Sequence, residues 1–181
     1  AIFARELMLK NKLTHNTVVA TSMSNMGLEK FLTSQGLKLL RTDVGDRYVV
    51  EQMQKNGINL GGEQSGHVIF SDFSTTGDGL IAGLQFLAEI IRSERSSKEL
   101  AHVFEPVPQL LKNASYQAGS DPLSKPNVIK AIKAAELKLQ NNGRLLIRKS
   151  GTEPLIRVMA ESEDEEKMTK AVDSVVAEII A

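Results

Sequence analysis

Two short strings in this sequence gather side chains able to hold a polar, charged ligand. In Gly61-Gly62-Glu63-Gln64-Ser65-Gly66-His67 a carboxylate and a hydroxyl stand among glycines. Backbone with few Cβ atoms lets a ligand come close, and a carboxylate can accept hydrogen bonds from neighbouring sugar hydroxyls. A surface turn with incidental polar residues has the same composition. The second string is Arg148-Lys149-Ser150-Gly151-Thr152-Glu153-Pro154, with Arg157 soon after. Guanidinium groups, hydroxyls and a glycine that frees backbone N–H groups are the parts of a phosphate site. Its alternative is a charged hairpin tip in which Glu153 offsets the nearby positive charge. Together, a hydroxyl reader and a phosphate holder point to a phosphosugar held between two domains.

Other candidates are weaker. Asp43-Val44-Gly45-Asp46-Arg47 offers only two carboxylates, too few for a metal loop. There an ion pair of Arg47 to Asp43 or Asp46 is the structural reading. His67 reads as a structural histidine beside a strand. His15 and His102 show no metal-ligand spacing, and the acidic run 163–166 reads as helix capping. No metal site is expected in this chain.

The elements that must position these residues follow from hydrophobic period. The β-branched run Thr17–Thr21, helix-spaced apolar residues over 25–35 and a second apolar run at 37–41 predict a β-α-β unit. Helical patterns at 48–55 and 80–91 are expected to cover the sheet, the latter through a stripe of Leu80, Leu84, Leu87 and Ile91. His67 to Phe70 reads as a strand. Pro106 and Pro108 place a domain boundary within 104–109. Beyond it, a helix opens near Pro126 with Val128, Ile129 and Ile132 turned inward. Asn142-Gly143 marks a turn, and the runs 144–148 and 155–161 are expected to pair as a hairpin around 150–154. Ser162 and Glu165 form a candidate capping box for a last helix with an apolar stripe from Met168 to Ile179.

Composition bounds the partners. The 181 residues carry 22 Lys plus Arg against 22 Asp plus Glu, so no net field draws the chain to nucleic acid or an anionic membrane. There is no cysteine, hence no disulfide, thiolate metal site or thiol nucleophile. Apolar runs are far too short for a membrane span and no signal-peptide pattern is present, which together suit a cytoplasmic protein. The chain starts at Ala1 within a helical pattern and without an initiator Met, as a fragment would. Oligomeric state is not legible.

The strings at 61–67, Thr75-Thr76-Gly77-Asp78-Gly79 and Arg148-Lys149-Ser150-Gly151-Thr152-Glu153-Pro154-Leu155-Ile156-Arg157-Val158 together resemble the α-D-phosphohexomutase family. Gln64, the stretch 42–49 and Met23-Ser24-Asn25 resemble its amino-sugar branch in particular. The resemblance implies the C-terminal half of a four-domain enzyme that interconverts 6-phospho and 1-phospho sugars through a phosphoserine and a bisphosphorylated intermediate. Residues 1–104 would be the third domain, α/β with a mixed sheet. Residues 105–181 would be the fourth, α+β with an antiparallel sheet under two helices. Gly62, Glu63 and Ser65 would contact sugar hydroxyls, and the stretch 43–47 would be a third-domain loop facing the ligand cleft, with Asp46 and Arg47 as candidate ligand contacts. Arg148, Ser150, Gly151, Thr152 and Arg157 would hold the phosphate that is not reacting. The family's serine loop and Asp-rich metal loop have no counterpart here, so no catalytic residue is expected in this chain. The Mg2+ of the whole enzyme would be held upstream, and the missing N-terminal domains would be its partners. Another hexose phosphomutase, acting on glucose or mannose phosphates, and a non-catalytic phosphosugar-binding module are the competing readings.

Overall fold

The computed structural model describes residues 1–140 and 142–181 and divides into two compact units, Ala1–Pro106 and Val107–Ala181. The break falls at 106/107, against 104/105 from the sequence.

The first unit is built on a four-stranded sheet of β1 (Thr17–Thr21), β2 (Lys38–Thr42), β3 (Leu60–Gly62) and β4 (Val68–Phe70), in the order β2-β1-β3-β4. β2 and β3 run parallel to β1, and β4 is antiparallel to β3, so the sheet is mixed. Every residue of β1 is buried, as a central strand covered on both faces requires. On one face lie α1 (Ile2–Leu9), α2 (Met26–Ser34) and α4 (Gly79–Ser93), around Ala4, Val18, Leu32, Leu60 and Phe70. On the other, α3 (Asp46–Asn56) packs Val49 and Met53 against Val19 and Ile69. A short helix α5 (Ser97–Ala101), unforeseen from the sequence, is started by a capping box of Ser96 and Glu99.

β3 was legible only as a glycine-rich stretch. Its Gly61 pairs with Val19, and a Cβ there would stand 2.4 Å from the Met53 sulfur and 2.7 Å from Val49 Cγ1. The glycine therefore lets α3 close on the sheet beside the candidate sugar-reading loop.

The stripe expected to cover the sheet from α4 does the opposite. Leu80, Leu84, Leu87 and Ile91 are 75, 57, 55 and 79% exposed. The inward side of α4 carries Ile81 and Ala82, together with Glu89, which is 4% exposed. Burial of that carboxylate is offset by Arg92 at 2.6 Å and Lys10 at 3.6 Å. Periodicity marked an apolar face correctly but could not say that a buried ion cluster holds the opposite face inward.

In the second unit the sheet order is β5-β7-β6, all antiparallel, from β5 (Gln109–Ser115), β6 (Gly143–Lys149) and β7 (Leu155–Ser162). Helices α6 (Pro126–Leu139) and α7 (Glu165–Ile180) cover one face, burying Ile156, Val158 and Ala160 against Val128, Ala135, Val172 and Val175. Ile129, expected inward, is 39% exposed, because Val128 takes the inward position of that turn. The last helix is capped by Asp164, whose carboxylate accepts the Lys167 N–H at 3.0 Å. Ser162, the expected cap, ends β7 instead, and its hydroxyl accepts the Asp164 N–H.

Two outcomes follow. Gly61→Ala should cost about 1–3 kcal/mol by overpacking α3 against the sheet, read by urea unfolding. The Glu6 carboxyl is pushed above its ordinary pKa by burial and then by its hydrogen bond with Glu89. Its contribution to stability is thus fully present below the ordinary carboxylate pKa and is lost as pH rises through the raised folded value. Glu6→Gln should flatten that acid-side dependence of the melting temperature and raise the value at neutral pH.

Candidate functional site

In the first unit the site is a tight hairpin joining β3 to β4. Glu63 N–H donates to the His67 carbonyl at 2.9 Å, and Gly66 N–H donates to the Glu63 carbonyl at 3.1 Å. The Glu63 side chain is 8% exposed. One carboxylate oxygen accepts the Gly45 N–H at 3.1 Å. The other lies 3.1 Å from His67 Nδ1, with the Ser65 hydroxyl 3.2 Å from that nitrogen and 3.5 Å from the oxygen. Since an ionised carboxylate only accepts, the imidazole must carry its proton on Nδ1 to hold Glu63.

His67 was set aside as structural from the sequence, yet it is more than half exposed and touches both candidate sugar-reading side chains. Only the i, i+4 spacing across a turn could have suggested the contact. Gly45 also could not be singled out. Its φ of 134° is open to glycine, and that conformation starts α3 and aims its N–H at Glu63. The loops at 43–47 and 62–67 are joined by this bond. A cavity of about 270 Å3 opens beside them, with Ser24, Asn25, Gln64 and His67 among its polar lining. It lies at the C-terminal ends of β1 and β3, where open α/β sheets bind ligands.

Asp46 and Arg47 occupy the first turn of α3 and are exposed. The Asp46 carboxylate accepts the Arg47 N–H at 2.8 Å. The Arg47 guanidinium lies 3.4 Å from Glu51 and over the Tyr48 ring, not against Asp43 or Asp46 as the alternative had it.

In the second unit, register decides what the phosphate-loop candidates can do. Arg148 is directly opposite Arg157 on β6 and β7, and Asn113 of β5 completes the row. These residues lie on the face away from the α6/α7 core, because the adjacent Ile156 and Val158 point into it. Two residues along is the pair Leu146 and Met159, and two further is Arg144 opposite Glu161, an ion pair at 2.6 Å. So one cross-strand row joins Arg to Glu, and another sets Arg against Arg. Like charges directly opposite are destabilising. Among the described residues neither Arg148 nor Arg157 has an ion-pair partner, and the buried Arg148 Nε has no hydrogen-bond partner. A buried donor left without a partner is costly.

The loop itself is ordered by backbone bonds. Ser150 N–H donates to the Leu155 carbonyl at 2.8 Å and Tyr116 N–H to the Pro154 carbonyl at 3.1 Å. A Cβ on Gly151 would meet nothing within 4 Å, so packing inside the chain does not require glycine there. Thr152 is exposed beside it. Lys149 points elsewhere, 2.6 Å from Asp121, whose hydrogen bond holds the lysine above its usual pKa.

Comparison with known proteins gives two overlapping matches. Residues 1–107 match the sequence profile of phosphoglucomutase/phosphomannomutase, alpha/beta/alpha domain III, and residues 92–178 that of the phosphoglucomutase/phosphomannomutase C-terminal domain. The chain belongs to the phosphoglucomutase/phosphomannomutase family. Among its relatives are phosphoglucosamine mutases of Dinoroseobacter shibae, 59% identical over the whole chain, and Cereibacter sphaeroides, 57% identical over 99% of it. The chain spans about 40% of the length of these relatives. Solved structures of the same fold include Aspergillus fumigatus N-acetylphosphoglucosamine mutase, with a TM-score of 0.75 at 18% identity over 98% of this chain and 40% of that one. Another is an N-acetylglucosamine-phosphate mutase in a substrate complex, with a TM-score of 0.74 at 18% identity over 99% of this chain and 42% of that one.

A. fumigatus N-acetylphosphoglucosamine mutase has been solved with GlcNAc-6P and magnesium. Here, among the described residues, no three His, Asp or Glu side chains converge in one cluster. None of its described helices is long and apolar enough to cross a membrane.

The repulsion between the two arginines gives a direct expectation. Arg157→Gln should stabilise the ligand-free second unit by about 0.2–1 kcal/mol in urea unfolding. Inorganic phosphate should raise the melting temperature of the unsubstituted chain and do so much less for the variant.

Proposed function

We propose that this chain is the C-terminal, substrate-gripping part of a phosphoglucosamine mutase, which interconverts glucosamine 6-phosphate and glucosamine 1-phosphate. The observation that carries the reading is the opposed pair Arg148 and Arg157, with the buried Arg148 Nε–H free to donate. A phosphate dianion accepts from both guanidinium groups, relieves their repulsion and takes up the orphaned donor. Ser150, Gly151 and Thr152 border the same anion at the end of β6. In the first unit Glu63 and Ser65 read ring hydroxyls at the end of β3, beside Gly62, and Asp46 and Arg47 rim that loop.

The identity to phosphoglucosamine mutases, 57–60% along the chain, supports the amino sugar as substrate. A phosphomutase must hold its substrate in two orientations. Adjacent hydroxyls read by a fixed carboxylate, and a phosphate held by a fixed arginine pair, can be presented from either end of the sugar. Phosphoryl transfer itself belongs to the part of the longer protein that precedes this chain. A phosphoserine there donates the phosphate, and magnesium bound there neutralises developing charge.

Titration calorimetry on the 181-residue chain tests the reading. Glucosamine 6-phosphate and inorganic phosphate should both bind, and Arg148→Ala should weaken both by roughly 10- to 100-fold, the loss expected for a charge-assisted contact. Glu63→Gln should weaken only the sugar phosphate. Unchanged affinity in Arg148→Ala contradicts the phosphate assignment. The chain alone should show no mutase turnover with magnesium and a bisphosphorylated sugar present, and robust turnover would contradict the division of labour.

A further inference from the structure

The α4 helix is amphipathic in the inverted sense. Its outward face consists of Leu80, Gly83, Leu84, Leu87 and Ile91, while its one charge before Arg92, Glu89, is turned inward and held by Arg92 and Lys10. Water-facing helices place their charges outward, and a helix apolar on the remaining face is one that is covered. The cover is not supplied by the rest of this unit, since all four large side chains are more than half exposed.

We infer that this stripe is the docking face for the part of the longer polypeptide that precedes this chain, through an apolar surface of that part. The inference rests on the reading of the chain as a C-terminal part. Two considerations select this occupant over a second copy. The relatives carry about 60% of their length outside the matched segment, which covers 40% of them, and the first unit matches a domain numbered III. The area decides further. A helix of 15 residues is about 22 Å long and roughly 10 Å wide, so the stripe offers on the order of 200 Å2. A stable dimer needs about 800 Å2 a side. A covalently joined segment meets the stripe at an effective concentration near millimolar and holds with far less area. The small side of Gly83 between Leu80 and Leu84 lets a partner backbone approach closely.

The absence of cysteine makes the test direct, because a Leu84→Cys or Leu87→Cys variant carries the chain's one thiol. Maleimide labelling is followed by peptide mass spectrometry in the 181-residue chain and in a chimera. In the chimera this chain replaces the matching segment of the Dinoroseobacter shibae relative. The thiol should label at least tenfold more slowly in the chimera than in the isolated chain. Equal rates in both overturn the inference, as does protection in the isolated chain that grows with its concentration, which would make a second copy the occupant. Leu87→Glu gives an independent reading: it should lower the melting temperature of the chimera by several degrees and leave the isolated chain unchanged. Equal effects on both overturn the inference. Neither readout involves sugar, so these outcomes are separate from those of calorimetry.

Discussion

Arg148 and Arg157 stand directly opposite one another on adjacent strands, a like-charge pairing on the face of the second sheet away from α6 and α7, and the rest of that unit fixes them there. The hydrophobic core does the fixing. Ile156, Val158 and Ala160 must face α6 and α7, and strand parity then turns Arg157 to the other side, opposite Arg148. A one-residue slip of β7 would bury the arginine and expose the core. The like-charge pairing is therefore held by favourable burial elsewhere. Two rows away the same geometry carries Arg144 against the fully buried Glu161, so the fold can pair an arginine across these strands.

The first unit sets its polar group by a different device. Glu63 is held by a backbone N–H from the start of α3, by an imidazole and by a hydroxyl, all within 3.5 Å of its carboxylate oxygens or their partners. Its orientation is thereby fixed before any ligand arrives. The close approach of α3 at Gly61 and the opened φ of Gly45 bring the two loops together. For a carboxylate held this way the ordering cost falls on folding, before any binding.

Much of this was legible in the sequence because period and turn chemistry are local. The β-α-β opening, the hairpin of β6 and β7 and the apolar stripe of α7 follow from runs that tertiary contacts reinforce. Residue types marked both candidate loops. Among the features that were not legible, three have clear physical reasons. β3 is too short and glycine-rich to show a strand pattern, and exists because β1 and β4 flank it. The inward side of α4 carries Glu89, held by Arg92 one turn on and by Lys10, which is distant in sequence. The Glu63–Gly45 bond joins residues 18 apart, beyond any local rule.

The most direct measurement is a phosphate titration followed by the arginine side-chain N–H resonances in heteronuclear NMR. The Nε–H of Arg148 and the guanidinium signals of Arg157 should move together and saturate at one affinity, while those of Arg144, engaged with Glu161, stay in place. If the shifts instead spread evenly over all arginines, or if Arg148 and Arg157 remain still while another cluster responds, the opposed pair does not hold the anion.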